Sequence, residues 1–269
     1  MEIKRNPGNH GELKNHDEKD ILGMRVLILA AGYGTRLYPL ITDTPKPLLP
    51  VADKPLINHL LEKIKDLEEL KEVLVVTNDK FCPNFQQWAQ ANAQYPAPLV
   101  VINDGTTSPD DRLGSVGDMD FVLKTYPVKD DLLVIGGDNL FDYSLKEYIA
   151  FSRAKSPHVT IGVYDIKDRS KATQFGVVEM DDQGKIVSFE EKPNQPRASR
   201  IAMCFYYFPQ ESLGLVGDYL KQTQRSDKAG DYICWLTREK GVYGFCFEGK
   251  WYDIGSIEAY QEAQEAFKD

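Results

Sequence analysis

The chain has 269 residues, 42% of them hydrophobic and 27% charged, which is ordinary globular composition with length for one large domain or two small ones. A formal net charge of -9 lacks the basic footprint of a nucleic-acid surface, although a few cations gathered in one cleft can still hold a small anion. The apolar runs are far shorter than the roughly 18 residues of a membrane-crossing helix, so no membrane partner is expected.

Residues 1–23 are rich in charged and polar groups and lack the apolar segment of a secretory signal, so they read as a polar N-terminal extension. The fold is expected to begin at Met24. Buried-type strands at 26–31, 73–77, 99–102 and 132–135 alternate with helical patterns, an order that predicts βαβ units and a parallel sheet. Leu56, Ile57, Leu60, Leu61, Ile64 and Leu67 recur at helical spacing; weaker helical patterns cover 81–93, 113–126 and 145–154. From about His158 the texture becomes strand-rich, with alternation at 158–164, 175–180, 185–189 and 201–208 and a turn at Asp182-Gln183-Gly184. A last helix is expected over 256–267, with Ser256 as its N-cap and Glu258 in its first turn. The four cysteines, Cys82, Cys204, Cys234 and Cys246, form no CxxC pair and read as reduced, mostly buried thiols of a cytoplasmic protein.

The first strand runs into Ala31-Gly32-Tyr33-Gly34-Thr35-Arg36-Leu37. A glycine turn at the carboxyl end of a parallel strand suits phosphate, because unhindered backbone N–H groups converge on its oxygens. Leu37 occupies the third glycine position of a dinucleotide fingerprint, and the Lys-Ser/Thr of a Walker loop is missing. Arg36 and, between Pro45 and Pro47, Lys46 supply instead a planar fork and a point charge for a triphosphate.

The run Leu29-Ala30-Ala31-Gly32-Tyr33-Gly34-Thr35-Arg36-Leu37, with Thr44-Pro45-Lys46-Pro47-Leu48-Leu49-Pro50-Val51 and Lys54-Pro55-Leu56-Ile57, closely resembles the signature of sugar-1-phosphate nucleotidyltransferases. The resemblance implies an α/β, three-layer Rossmann-like nucleotidyltransferase fold, with a mostly parallel central sheet and a strand-rich sugar-binding half, as one catalytic domain over 24–269. It implies catalytic roles for Arg36, Lys46, Asp138 and Asp253, and nucleotide contacts at Leu29, Ala31, Gly32, Gly34 and Thr35.

Asp138 follows a buried strand in Gly136-Gly137-Asp138-Asn139, where the alternative to a ligand is a helix cap. The resemblance makes Asp138 and Asp253, in Trp251-Tyr252-Asp253-Ile254-Gly255, the carboxylates for Mg2+, with Asn139 on the sugar phosphate. In Glu190-Glu191-Lys192-Pro193 it puts Lys192 on the sugar phosphate and Glu191 on sugar hydroxyls, with Gly176 admitting the sugar to the backbone. The expected partners are thus an NTP, with UTP or dTTP preferred, and a sugar 1-phosphate; association into a homo-oligomer stays open.

The base-reading stretch lacks the glutamine common in thymidylyltransferases, and Asn103 and Gly114 are the candidates for base contact. Asp118-Met119-Asp120 matches the DxD of metal-dependent glycosyltransferases but falls in a helical pattern, where neighbours two apart diverge. A glycosyltransferase and a non-catalytic nucleotide-sugar sensor stand as alternatives, the latter weakened because Arg36, Lys46, Asp138, Asp253 and Lys192 are all retained.

Overall fold

A computed structural model describes residues 23–37, 42–224 and 228–268, without the side chain of Arg36. The extension expected at 1–23 therefore lies, but for Gly23, outside the described residues. In chain order the elements are β1 (Met24–Leu29), β2 (Pro50–Val51), β3 (Lys54–Pro55), α1 (Leu56–Ile64), β4 (Leu70–Thr77), α2 (Cys82–Ala91), β5 (Leu99–Asn103), α3 (Gly114–Thr125), β6 (Asp131–Gly136), β7 (Asn139–Phe141) and α4 (Lys146–Ala154). There follow β8 (Val159–Asp165), β9 (Gly176–Met180), β10 (Ile186–Glu191), β11 (Arg200–Phe208), α5 (Gly214–Thr223), α6 (Ala229–Glu239), β12 (Val242–Phe247), β13 (Trp251–Asp253) and α7 (Ile257–Ala266).

The central sheet runs β10-β9-β11-β6-β1-β4-β5, with β8 on β11 and β12 on β8. One side, β6-β1-β4-β5, is parallel throughout; β11 returns antiparallel to β6 and opens the strand-rich half. The continuous apolar run of β1 is explained by burial on both faces. Val26 and Ile28 join one core with α1, α2 and α4, while Leu27 joins a second with α3, α5 and α6. Three layers result, and each fully buried aliphatic contributes about 1.5–3 kcal/mol, so a polar residue at either parity of β1 would open one of them.

The helix expected over 56–67 stops at Ile64, although Leu67 stays buried against the same core. In the β9–β10 hairpin Gly184 takes φ +80°, and Asp181 Oδ1 accepts from the backbone N–H of Gln183 and Lys185. Ser256 caps α7 by accepting from Ala259 N at 3.2 Å. The thiols depart from expectation: Cys82 is buried, Cys204 and Cys234 are half-buried and Cys246 is exposed. No helix among the described residues is long and apolar enough to cross a membrane.

Candidate functional site

Chain order turns back at β1: β4 and β5 are added on one side, then β6 on the other. Such a reversal leaves a crevice outside the carboxyl ends of the strands. The turn after β1 and the turn after β6 meet there, tied by Gly137 N donating to Leu29 O at 2.9 Å. A Cβ at Gly137 would lie 3.0 Å from both Leu29 O and the Pro47 ring, so a side chain there would push these neighbours apart by a few tenths of an ångström.

In the first turn Gly34 has φ +57°, a conformation that favours glycine, whereas a Cβ on exposed Gly32 would meet nothing within 4 Å. Packing does not require a glycine at 32, and the backbone there is open. Thr35 is exposed beside it, and Arg36, whose side chain falls outside the description, follows in a short 3₁₀ turn. Asn78 Nδ2 donates to Ala31 O at 2.8 Å and fixes the turn to the end of β4.

Lys46 and Asp138, 92 positions apart, form an ion pair with Nζ 2.8 Å from Oδ2. Asp138 is not a helix cap, since α4 starts beyond it and Ser144 Oγ accepts from Lys146 N. Asp253 arrives from the far end of the chain by strand pairing: β13 runs antiparallel to β7 and sets Asp253 opposite Asn139, while Ile254 N donates to Asp138 O at 3.0 Å. No three acidic, cysteine or histidine side chains converge into a metal cage among the described residues. Two hard oxygen donors do suit magnesium, which takes one or two carboxylates and completes its shell with phosphate and water.

Asn139 is nearly fully buried and its polar atoms are engaged. Nδ2 donates to Gly136 O at 2.9 Å and to Asp138 Oδ1 at 3.3 Å, and Oδ1 accepts from Trp251 Nε1 at 2.8 Å. Asn139 thus braces the two acid-bearing turns, and it also lines the cleft beyond them.

Beyond these acids lies a cleft of about 320 Å³ lined by Asp138, Asp253, Gly176, Glu191, Lys192 and the start of α6. Lys192 sits at φ +46°, held by its N–H on Phe175 O at 3.0 Å, a strained conformation of the kind that concentrates at functional sites. Burial, opposed by the charge of Lys192, pushes the Glu191 carboxyl above its ordinary range. A Cβ on Gly176 would strike the Phe189 ring, so this glycine makes room for that ring as well as for the cleft. Lys228, Ala229, Gly230 and Ile233 also line it, and sequence reasoning missed them. The spacing of Tyr232, Ile233 and Leu236, which bury one face of α6, was the available signal.

On the other side of the glycine turn a pocket of about 180 Å³ is lined by Leu29, Ala31, Gly32, Leu113, Gly114, Ser115, Asp104, Arg112 and Asp118. Asn103 is not among these residues: its Nδ2 donates to Asp79 Oδ1 and its Oδ1 accepts from Gly105 N, closing the turn after β5. The DxD acids diverge, with Asp118 buried in the pocket wall and Asp120 paired one turn along α3 with Lys124.

Residues 25–269 match the family described as Nucleotidyl transferase. The chain belongs to that family. It is 30% identical over 234 residues to the bifunctional protein GlmU of Methanocaldococcus jannaschii, covering 86% of this chain and 51% of that protein. It is 28% identical over 249 residues to a UTP–glucose-1-phosphate uridylyltransferase of Synechocystis sp., covering 89% of this chain and 62% of the relative. The chain therefore spans about half to three-fifths of the length of these relatives. Among solved structures, a Bacillus anthracis protein assigned as a glucose-1-phosphate thymidylyltransferase, with sucrose bound, superposes with TM-score 0.79 at 23% identity, over 92% of this chain and 96% of that one. A UDP-glucose pyrophosphorylase in complex with UDP-glucose superposes with TM-score 0.74 at 20% identity, over 91% and 98%. At such identities the superpositions establish the nucleotidyltransferase α/β fold.

Proposed function

We propose that the chain joins a nucleoside triphosphate to a sugar 1-phosphate, giving a nucleotide sugar and pyrophosphate. The observation that carries this reading is the Lys46–Asp138 pair, with Asp253 brought in by the β7–β13 ladder, at the Lys192 cleft and on a turn that Gly137 ties to Leu29 of the glycine-turn pocket. A triphosphate on one side and a sugar phosphate on the other would meet there.

The sugar phosphate supplies the nucleophile. Its second pKa is near ~6, so an oxygen is already ionised at neutral pH; it attacks the α-phosphorus as the bond to pyrophosphate breaks, with no general base required. The described histidines agree, since His59 bonds to Val51 O and His158 to Lys240 O, and neither lines the cleft. The obstacle is mutual repulsion of polyanions, and Lys46 and Lys192 answer it by charge and position, with Arg36 assigned the same part. Magnesium held by Asp138 and Asp253 would supply further neutralisation of the phosphates. In this reading Lys46, paired with Asp138 before substrates arrive, turns to phosphate once that carboxylate is otherwise engaged. Residues 24–269 form the catalytic domain, and UTP or dTTP is the preference that the family resemblance suggests.

Pyrophosphate release from a panel of triphosphates and sugar 1-phosphates with magnesium tests the reaction. Transfer of sugar from nucleotide sugars without pyrophosphate release would point instead to a glycosyltransferase. Lys192→Ala is expected to raise KM for the sugar phosphate by roughly tenfold or more and to leave KM for the triphosphate within about threefold, as loss of one charge-assisted contact predicts. An equal effect on both substrates would remove Lys192 from the sugar side.

A further inference from the structure

The pocket beside the glycine turn contains two carboxyl groups that the reaction above does not use. Asp104 follows β5 and Asp118 lies in the second turn of α3; they are 7% and 6% exposed. Asp104 Oδ1 accepts from Thr106 N at 2.7 Å and Thr106 Oγ1 at 2.8 Å, which orients the carboxyl. Among the described residues no hydrogen-bond donor reaches the buried Asp104 Oδ2 or Asp118 Oδ1, and both residues line the pocket. Arg112 lines it too, but its Nη1 donates to Pro109 O.

Two buried acceptors without donors are costly, at about 1–3 kcal/mol each and more when charged. A proton on one carboxyl relieves that cost by turning an acceptor into a donor. Burial first, then the charge of Asp104 and a hydrogen bond to it, raises the Asp118 carboxyl to about 8. A ligand that brings its own N–H donors removes the need for that proton.

We propose that Asp104 and Asp118 read the nucleobase of the triphosphate and select one that carries an exocyclic amino group. This rests on the nucleotidyl transfer reading, in which the glycine turn holds the phosphates and the base enters this pocket. One amino group has two hydrogens and can satisfy both orphaned oxygens; cytosine, adenine and guanine each present such a group. Uracil and thymine present a single N–H between two carbonyl oxygens, which would face carboxyl oxygens. The selection thus runs against the UTP or dTTP preference, and the wall that makes it is this acid pair in place of the glutamine that the stretch lacks.

The test is calorimetric binding of CTP, ATP, GTP, UTP and dTTP, with magnesium, to the full chain. At least one amino-bearing triphosphate is expected to bind on the order of 10–100-fold more tightly than UTP and dTTP, the range for hydrogen bonds to charged groups. Asp118→Asn and Asp104→Asn, which keep shape and place an amide donor between the pair, are expected to shrink that ratio to within about threefold. Thermal melts and far-UV spectra confirm that both variants fold. UTP or dTTP binding as well as the best amino-bearing nucleotide would overturn the proposal, as would an unchanged ratio in both variants. Either result would leave nucleotidyl transfer standing, whereas failure of all five to bind would sink both readings.

Discussion

Asp138 and Asp253 carry their carboxyls at the mouth of the larger cleft, on turns joined by the β7–β13 ladder, and Asp138 has Lys46 at 2.8 Å. Asp104 and Asp118, in the neighbouring pocket, are nearly fully buried, and what Asp118 has for company is another carboxylate. The same residue type serves two ends. A part-exposed aspartate with a cation beside it can hold its charge and exchange that cation for another. A buried pair must find a proton or a donor.

The largest effect is expected where charge is used. Asp138→Asn should lower magnesium-dependent pyrophosphate release by roughly 100-fold or more, because an amide replaces the anionic donor at the reacting phosphates. The melting temperature should move by only a few degrees, since the Lys46–Asp138 pair is partly solvated. Turnover above a tenth of wild type, with an unaltered magnesium requirement, would break the contrast by making Asp138 dispensable.

The buried pair should announce itself through stability. An Asp118 carboxyl near 8 in the folded chain sits well above its unfolded value, so unfolding releases a proton between these two values. Its contribution is therefore intact below about pH 4 and is lost as pH rises toward and through about 8. Asp118→Asn does not titrate. Melts across this window should show the variant gaining on wild type with rising pH, by on the order of 2 kcal/mol or about 4–8 °C. Parallel curves would mean that Asp118 ionises like a surface acid.

The two acid pairs were unequally legible in the sequence. Asp138 and Asp253 each precede or accompany a glycine next to a short aromatic or apolar strand, a local pattern readable without knowledge of what it touches. The long apolar runs of β1, β4 and β6 likewise declared themselves, because strands buried on both faces need no partner to be recognised. Asp118 was visible only as half of a DxD that the helical pattern argued against. Its significance comes from Asp104, 14 positions earlier, and the pairing depends on how α3 docks over the end of β5. Asn139 carries a similar lesson: its neighbour Asp138 was evident, but its brace to Trp251 spans 112 positions and exists only once β7 and β13 pair. The start of α6 stayed hidden for a simpler reason, as nothing in 228–230 resembles a ligand set until the helix is docked against Glu191.

That brace offers the smallest perturbation and isolates geometry from charge. Trp251→Phe removes one donor and keeps an aromatic ring against Tyr164 and Phe175, leaving Asn139 Oδ1 without its 2.8 Å partner. The cost should be about 1–3 kcal/mol, or at the low end about 2–4 °C in the melt, the penalty of leaving one buried acceptor without its donor. Every carboxylate at the cleft mouth is retained, so the maximal rate should fall only a few-fold, and the magnesium concentration for half-maximal turnover should rise as Asp253 loses its register with Asp138. If the magnesium requirement stayed put while stability fell, the β7–β13 ladder alone would suffice to hold the two acids, and the Asn139–Trp251 bond would serve folding without serving the site.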